Sequence, residues 1–267
     1  MDNFKSSRFL HLLKYDLCQY RKQYLSMMVG VFVAITLGQL GVFYPAAKYS
    51  PITTENFSNF ADTAVEVFYF LLVMFMTVAA ANVFGMLPNK RARISYLMVP
   101  ASNLEKYLSR LLICLVFVPL FAWLSFVLAD GIRILVYLGT EMPVQSVLPA
   151  LWDSVCYYFK ETLSLTDEGW PFILQGHAMI MSFIAEFILG SILFPRRAAI
   201  IMWLFLIGFL VLAMTVLLTV PENILRANPT VVFAWGGFVL HSLLTVLFVW
   251  GAYRLFCRRQ ITRRKFF

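Results

Sequence analysis

The sequence is short of charge. Only 13% of its 267 residues are Asp, Glu, Lys or Arg, where soluble domains carry about 25%. Acids are the scarcer sign, 14 against 22 bases. A chain that is 61% hydrophobic, with a mean hydropathy of +0.77, cannot cover its apolar side chains with polar surface, and this excludes a water-soluble globular fold. Cysteine is scarce too. Cys18, Cys114, Cys156 and Cys257 are scattered, with no CxxC pair and no histidine at metal-ligand spacing, so a zinc framework is not expected. Only Cys156 falls in a segment placed outside below, which argues against an intramolecular disulfide. There is no G-x-x-x-x-G-K-[ST] loop, no H-E-x-x-H and no G-x-S-x-G. The chain is therefore expected not to be an enzyme and to bind no cofactor or metal of its own.

What is present is long apolar runs. About 20 residues of helix cross about 30 Å of hydrocarbon. Runs of that length predict an all-α membrane protein with about six transmembrane helices, near residues 25–45, 66–88, 107–130, 172–194, 198–220 and 229–253. The fourth is the least clean, because it carries Gln175, His177 and Glu186. The first run starts near Tyr24, after a lead too long for the basic region of a signal peptide, and reads as a retained span. No soluble domain fits in the loops, so residues 1–267 read as one transmembrane domain.

Bases set the orientation, because Lys and Arg near span ends favour the cytoplasmic side. With six spans and both termini inside, 18 Lys and Arg fall on the cytoplasmic side and four on the other: Lys48, Arg133, Lys160 and Arg226. Without the fourth span, Arg196, Arg197 and the basic tail would lie outside, so the charge pattern supports that span. The expected location is the cell (inner) membrane, multi-pass. A net charge of +8 spread between apolar runs does not form the single basic face that nucleic-acid binding needs.

Residues 1–24 have their own pattern. Phe9, Leu10, Leu13, Leu17, Tyr20 and Tyr24 share a wedge of about 100° on a helical wheel, with Arg8, His11 and Lys22 opposite. This predicts an amphipathic helix in the cytoplasmic interface; a helix packed on a partner fits the same periodicity. Residues 139–171 form a long outer loop in which Val147, Leu148, Leu151, Val155 and Phe159 repeat at helical spacing, predicting a short amphipathic helix there. Within the spans, the ionisable residues to weigh are Glu186, His241 and His177. Such groups face a cavity or a partner because hydrocarbon does not solvate them. They read as lining a transport path or as a polar lock between helices. For Glu186 the plainer reading is a buried carboxyl bonded to a neighbouring Ser or Tyr, and for His241 a neutral imidazole bonded within the bundle. His177 and Glu186, nine apart, face opposite sides of their helix.

The link between the second and third spans is the most informative segment. Ile94, Leu97 and Met98 share one face of a short helix, and Pro100 ends it. Ser102 with Glu105 three residues later is a capping box for the next helix. Residues 90–106 therefore read as helix, proline break and capped helix, an elbow whose candidate docking residues are Arg91, Arg93, Ile94, Tyr96, Leu97, Met98, Pro100, Ser102, Glu105 and Lys106. An ordinary basic inner loop is the alternative.

Here the chain resembles a family. The stretch RISYLMVPASNLEKYLSR, from Arg93 to Arg110, is similar to one common in bacterial ABC-2-type transporter permeases, and LGSILFPRRAAI, from Leu189 to Ile200, looks like the join between their fourth and fifth spans. The resemblance implies a permease that dimerises, with itself or with a second permease, and that pairs with a separate ATP-binding cassette subunit holding ATP and Mg. It implies that the elbow is the coupling helix docking on that ATPase. The family often has a re-entrant hairpin between spans five and six, whereas Glu222–Asn228 is very short. A non-transporting membrane scaffold or sensor that binds a partner through the same elbow is the alternative function.

Overall fold

The computed structural model describes residues 4–49, 52–53, 56–85, 89–138, 145–163, 170–219 and 230–261. Among them, every extended regular element is helical: α1 (Ser6–Gln19), α2 (Arg21–Tyr49), α3 (Phe57–Asn82), α4 (Lys90–Met98), α5 (Asn103–Leu112), a π-helical turn (Ile113–Phe117), α6 (Val118–Tyr137), α7 (Leu148–Leu163), α8 (Trp170–Leu193), α9 (Ala198–Thr219) and α10 (Thr230–Ile261). Five stretches are long and apolar enough to cross a membrane: Arg21–Tyr44, Phe57–Asn82, Asn103–Tyr137, Pro171–Leu193 and Ala234–Arg258. Large apolar side chains such as Leu25, Val29 and Leu37 on α2, and Leu243, Val246 and Leu247 on α10, are exposed. That is the surface of a multi-pass membrane protein. A sixth helix, α9, is apolar over Ala198–Phe209.

The chain divides into two compact units. Their boundaries fall at Leu12–Leu13, Met76–Thr77 and Leu111–Leu112, inside helical runs, and at Leu163–Ser164, where α7 ends. The first unit comprises Met1–Leu12, Thr77–Leu111 and Ser164–Phe267. In it, α8 pairs with α10, and α9 folds back on α8. Across the first pair Gln175 meets Gly237, Ser182 meets His241 and Leu189 meets Gly251, a rising order on both chains that makes the two helices parallel. Met202 of α9 lies over Gly190, and Phe187 packs edge-on against Trp203 at 5.5 Å.

The second unit comprises Leu13–Met76 and Leu112–Leu163. Its core is aromatic and aliphatic. Phe126 of α6 lies 4.6 Å from Phe68 of α3 and Phe43 of α2 lies 5.7 Å from Phe57, with Val31, Ile35, Val65 and Ala122 between them. Val67 and Leu71 close on Gly38, so α2 approaches α3 there by lacking a side chain. In α7, Val147 just before the helix and Leu151 within it are buried in this same core.

Two elements sit differently from the apolar runs that announce them. Helix α3 spans Phe57–Asn82, where hydropathy places a span at 66–88. It starts early because Thr53 and Asn56 cap it reciprocally: the Thr53 N–H donates to Asn56 Oδ1 at 2.7 Å and the Asn56 N–H to Thr53 Oγ1 at 3.4 Å. It stops early because the chain turns at residues 83–85, where the Gly85 N–H bonds the Asn82 carbonyl at 3.0 Å. In α1 the buried side chains are Leu12 and Asp16, while Leu10 is exposed. The covered face is thus rotated from the Phe9–Leu10–Leu13–Leu17 wedge, because Arg8, one turn before Leu12, is held by an ion pair described next.

Candidate functional site

The elbow belongs to the first unit. Helix α4 ends at Met98, the chain bends through Val99–Ala101, and α5 begins at Asn103. The capping box forms: the Glu105 N–H donates to Ser102 Oγ at 3.2 Å, and the Ser102 N–H donates to Glu105 Oε2 at 2.8 Å. The sequence does not show what else Glu105 holds. Its side chain is fully buried, with 28% of Arg8 exposed above it. Arg8 Nη2 and Nε lie 2.9 and 3.1 Å from Oε1, and Nε lies 2.8 Å from Oε2. The backbone N–H of Lys5 adds a bond to Oε1 at 2.9 Å. One carboxylate therefore caps α5 and clamps the N-terminal helix to the elbow.

Aromatic packing holds the rest. Tyr96 is buried and its hydroxyl donates to the Lys106 carbonyl at 3.0 Å. The Arg110 guanidinium lies 5.0 Å and Lys106 Nζ 5.8 Å from the centre of its ring, within cation–π range. Both cations are buried. Tyr107 stacks on Phe84 at 5.6 Å, packs against Tyr253 at 5.4 Å, and donates its hydroxyl to the Val249 carbonyl at 3.0 Å. Phe84 also meets Phe256 at 5.0 Å. The start of α5 is thereby fixed to the end of α10. Against this rigid base, Ile94 is exposed and Met98 is 80% exposed, while Arg91 and Pro100 are exposed as well. The side chains of Arg93 and Leu97 lie outside the described residues. The elbow thus splits into an inward set, Tyr96, Glu105 and Lys106, and an outward set, Arg91, Ile94, Met98 and Pro100. Ser102, half-buried, is the hinge between them.

Of the intramembrane candidates, the structure brings one pair together. Ser182 Oγ lies 2.9 Å from His241 Nδ1 and 2.8 Å from the Met179 carbonyl. A hydroxyl has one proton. With that proton on the Met179 carbonyl, Nδ1 carries the ring proton and donates it to Oγ. The contact links α8 to α10. Thr245, one turn on, donates to the His241 carbonyl at 2.8 Å. Glu186, one turn beyond Ser182, is partly buried and has no hydrogen bond or ion pair among the described residues. His177 is exposed and bonds the Ile173 carbonyl of its own helix at 2.8 Å. It joins neither Glu186 nor His241.

A third polar cluster lies in the second unit; the sequence marks Asp130 as an ionisable residue at the end of the third span but does not show what it pairs with. Asp130 and Arg133 of α6 are both buried and pair at 2.8 Å. Arg133 also donates to the Gln145 carbonyl and lies 4.4 Å over the Phe43 ring. Asp130 accepts the Ser146 hydroxyl at 2.6 Å and the Val147 N–H at 3.2 Å. Two charges at the end of an apolar run thus latch the start of α7. The i,i+3 spacing of opposite charges is the signal that could have found the pair; nothing local points to Ser146. Among the described residues no group of His, Cys, Asp and Glu could hold a metal ion. No protein-family description, no curated protein and no solved structure matches this chain.

Proposed function

We propose that this chain is the membrane-spanning permease subunit of an ABC-2-type export transporter. In this reading it spans the cell membrane six times, with α9 as the fifth span and both termini in the cytoplasm. It works as a homodimer or with a second permease, and it hydrolyses no ATP itself. The ATP-binding cassette partner carries ATP and Mg and docks on the elbow. The observation that supports the reading is the division of the elbow: Glu105, Tyr96 and Tyr107 fix it rigidly, and the chain itself leaves Met98 and Ile94 exposed. A lever that transmits force needs a stiff base and a free contact face. The test is co-purification from membranes with ATP-binding cassette proteins. Recovery of one, lost with Met98→Asp at unchanged membrane level, is the expected result. Recovery of none with the wild-type chain overturns the reading.

A second reading is a non-transporting scaffold or sensor using the same elbow. It is favoured by the mutual satisfaction of Ser182 and His241, which suits a fixed lock better than a path that must open. It requires Glu186→Gln and His241→Ala to leave activity intact; loss in either variant, with normal insertion, counts against it.

A further inference from the structure

The π-helical turn sits inside an otherwise α-helical span, and its cause is legible. Pro119 has no N–H to give the ladder. Just before it, the Val118 N–H reaches back five residues to the Ile113 carbonyl. Such turns inside α-helices recur at functional sites. Here the extra residue leaves Ile113, Phe117, Val118 and Phe121 along one side of an open crevice, with Tyr24, Met27, Met28 and Val31 of α2 opposite and Leu17 at its end. The lining is apolar throughout. All of it belongs to the second unit.

We propose that this crevice binds one acyl chain of an anionic phospholipid, whose phosphate is held by Arg21. Two observations name the occupant. The rim is exposed and apolar: Leu25 and Val29 on α2, Val116 and Leu120 on the other side. In a bilayer such a rim faces lipid tails, and an apolar crevice opening there admits a chain and no water. The second observation is charge at one end. Arg21 lies on the same stripe of α2 as Tyr24, Met28 and Val31, at steps of three, four and three residues, and it is exposed. Lys14 lies one turn before Leu17 and is exposed as well. The only acid of α1, Asp16, is buried. Cations at the head of an apolar slot match an anionic headgroup above its own chain, at about 1 kcal/mol per cation near a membrane surface. The two methionines let the slot follow a flexible tail. The proposal needs only that the chain lies in a bilayer, and it is independent of the transporter reading.

The test reconstitutes the full chain in nanodiscs holding equal parts phosphatidylglycerol and phosphatidylcholine. Retained lipid is then read by native mass spectrometry after mild extraction. Phosphatidylglycerol should be retained about fivefold over phosphatidylcholine. Arg21→Glu should abolish that preference. Met28→Trp, which fills the slot, should lower total retained lipid about fivefold. If Met28→Trp does not fold, a phosphatidylglycerol with a photoactivatable group in mid-chain serves on the wild-type protein. Its adducts should fall on Tyr24, Met27, Met28 and Phe117 well above those on the exposed Leu243–Leu247 stripe. Even labelling of both, unchanged lipid retention in a folded Met28→Trp variant, or a dimer that this variant splits without changing bound lipid overturns the proposal.

Discussion

At the scale of single residues, Glu105 concentrates the most structure. It satisfies two orphan N–H groups, one at Ser102 and one at Lys5, and it carries the charge that holds Arg8. Replacing Arg8 with Ala strips the cation from a buried carboxylate. The loss for a fully buried pair is about 3–5 kcal/mol; Arg8 is partly exposed, so about 1–3 kcal/mol is expected after solvent screening. Glu105→Gln keeps the cap and loses the ion pair, so it should be milder than Glu105→Ala, which loses both. Thermal unfolding of the helical signal in detergent checks the order. Arg133→Met is the harsher change. It leaves Asp130 buried without its cation and frees the start of α7, at about 3–5 kcal/mol, read in the same assay. By contrast Ser182→Ala should cost about 0.6 kcal/mol, the mean for hydrogen bonds between membrane helices.

At the scale of elements, close approach between helices decides tolerance. Gly236 and Gly237 are neighbours on α10. A side chain at Gly236 meets open space, whereas one at Gly237 runs into the side-chain amide of Gln175 on α8. Gly236→Leu should therefore be nearly neutral. Gly237→Leu should destabilise by about 1–3 kcal/mol, the usual cost of overpacking, with Gly237→Ala milder because the Gln175 side chain can swing away. Helix-packing stability of the two leucine variants, compared side by side, checks this. The same scale explains α3. Its apolar run continues through Val83 and Phe84, but both are buried, Phe84 in the cluster with Tyr107 and Phe256. Hydropathy cannot separate a side chain buried in protein from one facing lipid, so the apolar window ran past the helix end.

At the scale of the whole molecule, orientation is open to direct test by the protein's own thiols. Cys18 and Cys156 are both exposed, and the four cysteines are free. With the N-terminus in the cytoplasm and α7 outside, a membrane-impermeant maleimide should label Cys156 in intact cells and Cys18 only after lysis. The reverse pattern inverts the charge-based orientation. Labelling of both thiols in intact cells removes the odd number of crossings between them.

The all-helical character and the presence of helices long and apolar enough to cross a membrane were legible in the sequence, though five such helices form among the described residues where six were expected. Hydrocarbon accepts only long, apolar, internally bonded segments, and such segments are contiguous in the chain. The capping box at Ser102 and Glu105 was legible for the same reason, since its partners lie three residues apart. Tertiary structure alone decided what those residues meet. Arg8 and Lys5 stand about a hundred positions from Glu105, Ser182 meets His241 across two helices, and Asp130 closes on Ser146 across a loop. Periodicity records which face a residue occupies on its own helix. Which other segment comes to lie against that face depends on how the whole chain packs, and the local pattern does not carry that information.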